Sequence, residues 1–176
     1  MKNFTISKAT NNDVTALNTL VNAAYRGETS KQGWTTEADL LDGIRTDEEA
    51  IKETLTKENV WILKVLNEEN EIVACVQLEK HLNKLYLGML TVLPTLQGSG
   101  IGKKLLAKAE DFALEKKCNC IYMTVITDRL ELIAWYERHG FVLTNEKKPF
   151  PSGNPRFGLP KKHLEFAVLE KQLNAH

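Results

Sequence analysis

The chain has 176 residues and a mass of 19.9 kDa, with 23 Lys plus Arg set against 23 Asp plus Glu and therefore no formal net charge. That balance excludes a dedicated nucleic-acid binder, which carries a basic excess. A composition of 43% hydrophobic and 26% charged residues excludes disordered and collagen-like chains and predicts one compact domain over residues 1–176.

The neutrality is divided along the chain: residues 26–71 hold 12 acids and 6 bases, whereas residues 72–176 hold 10 acids and 15 bases. No apolar run approaches the roughly 18 residues of a membrane span, and residues 1–14 lack a signal-type apolar stretch. A cytoplasmic protein with no membrane and no nucleic-acid partner is expected. Cys75, Cys118 and Cys120 are odd in number and lack the second close pair a zinc site needs. Free packed thiols and no metal follow.

Phe4 and Ile6 alternate with polar neighbours as a short strand, and Thr10-Asn-Asn-Asp13 has the spacing of a capping box. Val14, Leu17, Val21 and Ala24 continue at helical period. Residues 25–35 read as a loop, followed by predicted helical segments over 37–44 and 46–55, the second opening on Thr46-x-x-Glu49. Val60–Leu66 and Ile72–Leu78 flank a polar turn and predict a hairpin. A strand over Leu85–Val92 stops at Pro94, which cannot donate to a central ladder. Ile101, Leu105, Ala109, Phe112 and Ala113 form the apolar stripe of a long helix opened by Gly98–Gly102. A strand over Ile121–Ile126 precedes a helix whose one face is Leu132, Trp135, Tyr136 and His139, with Gly140 as its cap. Two apolar runs, 141–143 and 164–169, flank a Pro/Gly-rich excursion over 149–160. The order predicts an α+β domain with a single mixed sheet covered by helices.

The segment Gln97-Gly98-Ser99-Gly100-Ile101-Gly102-Lys103 carries the chemistry. Glycines at a helix start expose unpartnered N–H groups at the positive end of the helix dipole, a seat for phosphate. Spacing rules out a Walker loop, which needs glycine at 97 and Ser or Thr at 104. It also rules out a Rossmann fingerprint, which needs glycine at 103. What remains, Gln-x-x-Gly-x-Gly, resembles the acetyl-CoA-binding signature of the GNAT acetyltransferase superfamily. The ending Tyr136-Glu-Arg-His-Gly140-Phe141 is similar to that family's Tyr-x-x-x-Gly-Phe.

The resemblance implies a GNAT-like fold, with a mostly antiparallel sheet, and acetyl-CoA as cosubstrate. Backbone groups of Leu90, Thr91 and Val92 would bind pantetheine, and Gln97 to Lys103 would cradle the pyrophosphate. Tyr136 would protonate the departing thiolate; the alternative is a packed core tyrosine. Many members carry Asn seven residues before this Tyr. Arg129 stands there, suited to a phosphate or an acceptor carboxylate.

Glu79, at the end of its strand, is a candidate general base beside the alternative of a solvated acid; Glu37 is a second candidate. Cys75 and His139 read as core residues. For the acceptor, Arg26, Glu28, Trp34, Thr35 and Glu37 in the early loop and Arg156 in the late one combine charged, aromatic and hydroxyl groups. The alternative there is helix capping by Thr35 or Thr36, with Trp34 as a lid on the core. The acidic stretch predicts an approach for a cationic amine. An N-acetyltransferase acting on a small amine in a ternary complex is expected, as a monomer or homodimer. Acetylation of a protein amino terminus or lysine, or a non-catalytic acyl-CoA sensor, are the alternatives.

Overall fold

The computed structural model describes residues 3–26, 30–151 and 158–173. Strand β1 (Thr5–Lys8) leads into a 3-10 turn over 11–13 whose capping box forms as the sequence predicts. The Thr10 N–H donates to Asp13 Oδ2 at 2.8 Å, and Asn12 N–H donates to Thr10 Oγ1 at 3.3 Å. Helix α1 (Val14–Tyr25) follows and buries Val14, Leu17, Leu20, Val21 and Ala24.

The predicted helix over 37–44 does not form. Leu40 and Leu41 N–H groups close a turn on the Glu37 carbonyl, and β2 (Leu41–Asp42) pairs antiparallel with β8 (Leu159–Pro160). Pairing with a distant segment overrides the local pattern here. Helix α2 (Glu48–Thr56) is capped one residue later than predicted, by Asp47, whose Oδ1 accepts from Ala50 N–H at 2.8 Å. Thr46 is instead held by Asn22, whose Oδ1 accepts its N–H at 3.1 Å while Nδ2 donates to its carbonyl at 2.9 Å.

The main sheet comprises β1, β3 (Val60–Leu66), β4 (Ile72–His81), β5 (Lys84–Val92), β6 (Cys120–Ile126), β9 (Glu165–Gln172) and β7 (Val142–Pro149), in that spatial order. Every neighbouring pair is antiparallel except β5 and β6. Helix α3 (Ile101–Glu115) connects those two, and α4 (Leu130–Arg138) lies between β6 and β7. The predicted single mixed sheet with helices on its faces is therefore the observed architecture, with the small β2–β8 pair added.

One apolar core lies between the sheet and α3 and α4, built on Leu85, Leu87, Leu105, Ala109, Phe112 and Met123. The other lies under α1 and α2, with Leu17, Val21, Ile51, Ile62 and Cys75. All three cysteines are free and buried, as expected.

A bulge in β5 shapes the functional half of the molecule. Cys75 pairs with Thr91 but Gln77 pairs with Gly88, so Met89 and Leu90 oppose the single residue between them. Met89 takes a positive φ of 53°. Leu85 and Leu87 face the first core, Met89 turns to the second, and Leu90 and Val92 return to the first. A bulge bends its strand and raises the local twist. The parallel pairing with β6 ends at Tyr86 and Tyr122, and beyond that point the two strands diverge into a cleft.

Candidate active site

Beyond Tyr86, β5 borders the cleft with its own backbone. In an antiparallel pair, alternate residues direct both polar backbone groups to the same side. Leu93 N–H donates to Val73 on β4 at 2.8 Å, so the groups of Val92 and Leu90 face away from β4. Their carbonyls are found there. Leu90 O accepts the Tyr25 hydroxyl at 2.8 Å and Val92 O accepts Gln97 Nε2 at 3.2 Å. By the same alternation the N–H group of Val92 points into the cleft. The Thr91 hydroxyl is committed to Met89 O at 2.9 Å.

The chain then passes a 3-10 turn over 94–96 and the glycine segment before α3. Gly98 and Gly100 adopt φ of 84° and 89°, which a side chain would strain, and a Cβ at either would meet no atom within 4 Å. The first bond inside α3 runs from Lys104 N–H to Gly100 O at 3.1 Å. The N–H groups of Ile101, Gly102 and Lys103 therefore have no partner within the helix, as at every helix start. Gly102 serves close packing: a Cβ there would lie 3.2 Å from Trp135 Cζ2. Ser99 does not join this cradle, because its N–H and hydroxyl both turn back to Leu96 O. Gln97 contributes a strap: its Oε1 accepts Trp34 N–H at 2.9 Å while its Nε2 holds Val92. The early loop is thereby fastened across the end of β5.

Two cavities open from this cleft. The first, about 390 Å³, is walled by the Leu90–Val92 backbone, the glycine turn, Trp34, Thr35 and α4. Lys103, Arg129 and Arg138 line it, and no carboxylate does among the described residues. The second, about 290 Å³, lies toward Arg26, Glu37, Arg45, Tyr86 and Phe166. Tyr25, Leu90, Arg129, Leu132 and Tyr136 belong to both walls and mark the junction.

Tyr136 is 5% exposed, its ring against Trp135 and Phe141 at centroid distances of 5.1 and 5.7 Å. Burial pushes its phenol well above the ordinary tyrosine range, so it is a neutral proton donor at physiological pH. Its hydroxyl makes no hydrogen bond among the described residues. Burial also raises Tyr25 to about 12. His139, by contrast, is tied back to the Trp135 carbonyl through Nδ1 at 2.7 Å.

A buried ionic chain closes the side of the junction. Glu37 accepts Arg26 Nε at 3.0 Å on one oxygen and Arg129 Nη1 at 3.1 Å on the other. Arg129 Nη2 donates to Thr35 Oγ1 at 2.7 Å, and that hydroxyl donates to Glu131 at 2.9 Å. Arg26 Nη1 reaches the Ile44 carbonyl at 3.0 Å. Thr36 Oγ1 accepts Ala38 N–H at 3.0 Å, but it opens a turn and no helix follows.

Thus Leu90, Thr91, Val92, Gln97, Gly98, Gly100, Ile101, Gly102, Lys103, Arg129, Trp34, Thr35 and Tyr136 converge on the first cavity, and Arg26 and Glu37 on the second. Ser99 and Glu79 line neither. Glu79 sits where β4 pairs with Tyr86 and accepts Gln77 Nε2 at 3.2 Å. Glu28 and Arg156 lie outside the described residues.

Sequence reasoning passed over Arg45 and Tyr86 as site residues. Neither stands in a motif; only the folding of the 37–47 segment against α1 brings Arg45 to the cavity, through its N–H on Asn22 Oδ1 at 2.7 Å.

A family model described as the acetyltransferase (GNAT) family matches residues 17–141. An acetyltransferase of Agrobacterium fabrum is 29% identical over 98 residues, covering 56% of this chain and 70% of the relative. Among solved structures, the ribosomal-protein-S18-alanine N-acetyltransferase of Escherichia coli superposes with a TM-score of 0.73 at 14% identity, covering 99% of this chain and 96% of that one. A protein described as a streptothricin acetyltransferase from Bacillus anthracis, solved in complex with acetyl coenzyme A, superposes with a TM-score of 0.58 at 22% identity, covering 70% and 68% of the two chains. At such identities the structural matches establish a shared fold.

Proposed function

The chain belongs to the acetyltransferase (GNAT) family and is an acyltransferase, and from that premise we propose that it moves acetyl from acetyl-CoA to the primary amine of a small molecule, by direct attack while both are bound. The observation that carries this reading is the shared wall of the two cavities, to which both Tyr136 and Leu90 belong.

The residues present suit the donor. The turn over 98–103 offers unpartnered N–H groups, open space above Gly98 and Gly100, and the Lys103 charge, which together match a pyrophosphate. The cleft-lining backbone of Leu90 and Val92 matches the amides and thioester carbonyl of the pantetheine arm. An N–H aimed at that carbonyl stabilises the negative charge that grows on its oxygen. Tyr136, held neutral by burial, gives its proton to the sulfur as the C–S bond breaks.

The amine must lose a proton before it attacks. Glu37 is the one carboxylate among the described residues that lines either cavity, and both its oxygens are held by guanidinium groups. It acts as an anchor for Arg26 and Arg129, and the amine's proton leaves to water in the cavity. A second cavity of about 290 Å³ lies just below the volume range of small-molecule sites, roughly 300 to 1,000 Å³. That size favours a small acceptor over a protein chain.

The test is free-thiol release from acetyl-CoA in the presence of a panel of small amines and of short peptides with free amino termini. Release that depends on small amines is expected. Release with peptides alone overturns the small-molecule assignment. Tight acetyl-CoA binding with no amine-dependent release identifies a sensor instead.

A further inference from the structure

Resting on the acceptor reading above, we propose that the second cavity selects its amine by an oxyanion on the same molecule, held by Arg45: the acceptor is a small amino carboxylate or an isostere such as an aminophosphonate. Three guanidinium groups, of Arg26, Arg45 and Arg129, line this cavity against one carboxylate among the described residues, Glu37. Glu37 is already shared between Arg26 and Arg129. Arg45 has no carboxylate within salt-bridge range among the described residues; its guanidinium carbon stands 5.3 Å from the centroid of the Tyr25 ring. Arg129 Nε is buried and without a hydrogen-bond partner among them.

Each guanidinium carries five donors and no acceptor, so among the described residues the wall holds more positive than negative charge, with Arg45 outside the Glu37 ion pairs. Like charges gathered at low dielectric repel strongly, and an anion is the natural complement. The sequence leads to the expectation that the acidic stretch over 26–71 receives a cationic amine. Of its described acids only Glu37 reaches the cavity, and it arrives neutralised.

Size follows from Tyr25, whose ring lies beneath Arg45 while its hydroxyl bonds to Leu90 O at 2.8 Å. One tyrosine side chain therefore separates the anion seat from the backbone where the acetyl carbonyl is read, a span that suits a single amino acid. Met123, Val125 and Phe166 supply an apolar wall for the rest of the molecule. The positive wall also disfavours an ammonium beside it. It thereby raises the fraction of neutral, nucleophilic amine where no free carboxylate among the described residues is present to take the proton.

The experiment compares kcat/KM for matched pairs, each an α-, β- or γ-amino carboxylate and its carboxamide, with aminophosphonates added, using acetyl-CoA as donor and thiol release as readout. Wild-type protein is expected to favour the anionic member by about tenfold to a hundredfold, the range of one charge-assisted hydrogen-bonded contact. Arg45→Gln is expected to bring that ratio near one, chiefly through KM, and Arg45→Lys to keep part of it. Acetyl-CoA affinity, measured by titration, reports folding of each variant. A wild-type ratio near one, a ratio that survives in Arg45→Gln, or turnover confined to amines without an anion overturns the proposal. No thiol release with any amine overturns the acetyltransfer reading itself, and this proposal with it.

Discussion

The two halves of the cleft are built from different materials. The half proposed for the donor is backbone: the strand end from Leu90 to Val92 and the turn from Gly98 to Lys103, all within one contiguous segment. The half proposed for the acceptor is side chains: Tyr25, Arg26, Glu37, Arg45, Tyr86 and Arg129, drawn from four separate stretches of the chain. A backbone site recognises what every substrate pair has in common, whereas a side-chain site can be rebuilt one residue at a time. On the proposed reading the contrast teaches where specificity resides: the donor would be read by main-chain geometry and the acceptor by side-chain charges.

Substitutions can break this contrast, and the largest effect is expected where the halves meet. Tyr136→Phe removes one hydroxyl from the shared wall, and kcat should fall about 100-fold to 10,000-fold, the range for a general acid. Acetyl-CoA affinity should change little. Turnover at the wild-type level in stopped-time assays would exclude the proton-donor role.

The next effect isolates the donor half. Gly100→Val forces a β-branched residue to a φ of 89° and fills the space above the turn. Acetyl-CoA affinity should drop about a hundredfold, as two or so charge-assisted bonds are lost. The positive φ costs only about 1–2 kcal/mol, a shift of a few degrees in Tm. Unchanged affinity by calorimetric titration would mean that the donor lies elsewhere.

The smallest effect separates the halves by titration. Beneath the second cavity, burial raises Cys75 from 9.0 to about 12, and Tyr25 also to about 12. Both groups hold their protons in the folded chain at a pH where the unfolded chain has lost them. The unfolded state then binds fewer protons, and stability declines as pH rises. It is complete below about pH 9 and is lost progressively toward pH 12. Thermal melts at pH 8, 9.5 and 11 should show Tm falling, and the fall should be shallower in Cys75→Ala than in wild type. Parallel pH profiles in the two proteins would remove Cys75 from the account.

Legibility followed the same division. The Thr10 capping box, the α3 stripe and the glycine turn were readable because each rests on contacts within four or five residues. The 37–44 segment was misread as a helix, because its Glu37 is claimed by two arginines and its Leu41 by β8. The cap of α2 was placed one residue early for a related reason: Asn22, on another helix, holds Thr46. Gln97 was read as part of the phosphate cradle, while its side chain in the fold fastens Trp34 to Val92.

By itself, then, the amino-acid order determined the family, the fold class and the glycine turn, because glycine spacing and apolar periodicity act locally and admit few alternatives. Only the tertiary structure decided which charges line the second cavity. The excess of acids over 26–71 suggested a seat for a cation, yet Arg26, Arg45 and Arg129 turn inward with Glu37 shared between two of them. Composition counts charges along the chain; desolvation and pairing decide which of them line a cavity, and those are set by residues far apart in sequence.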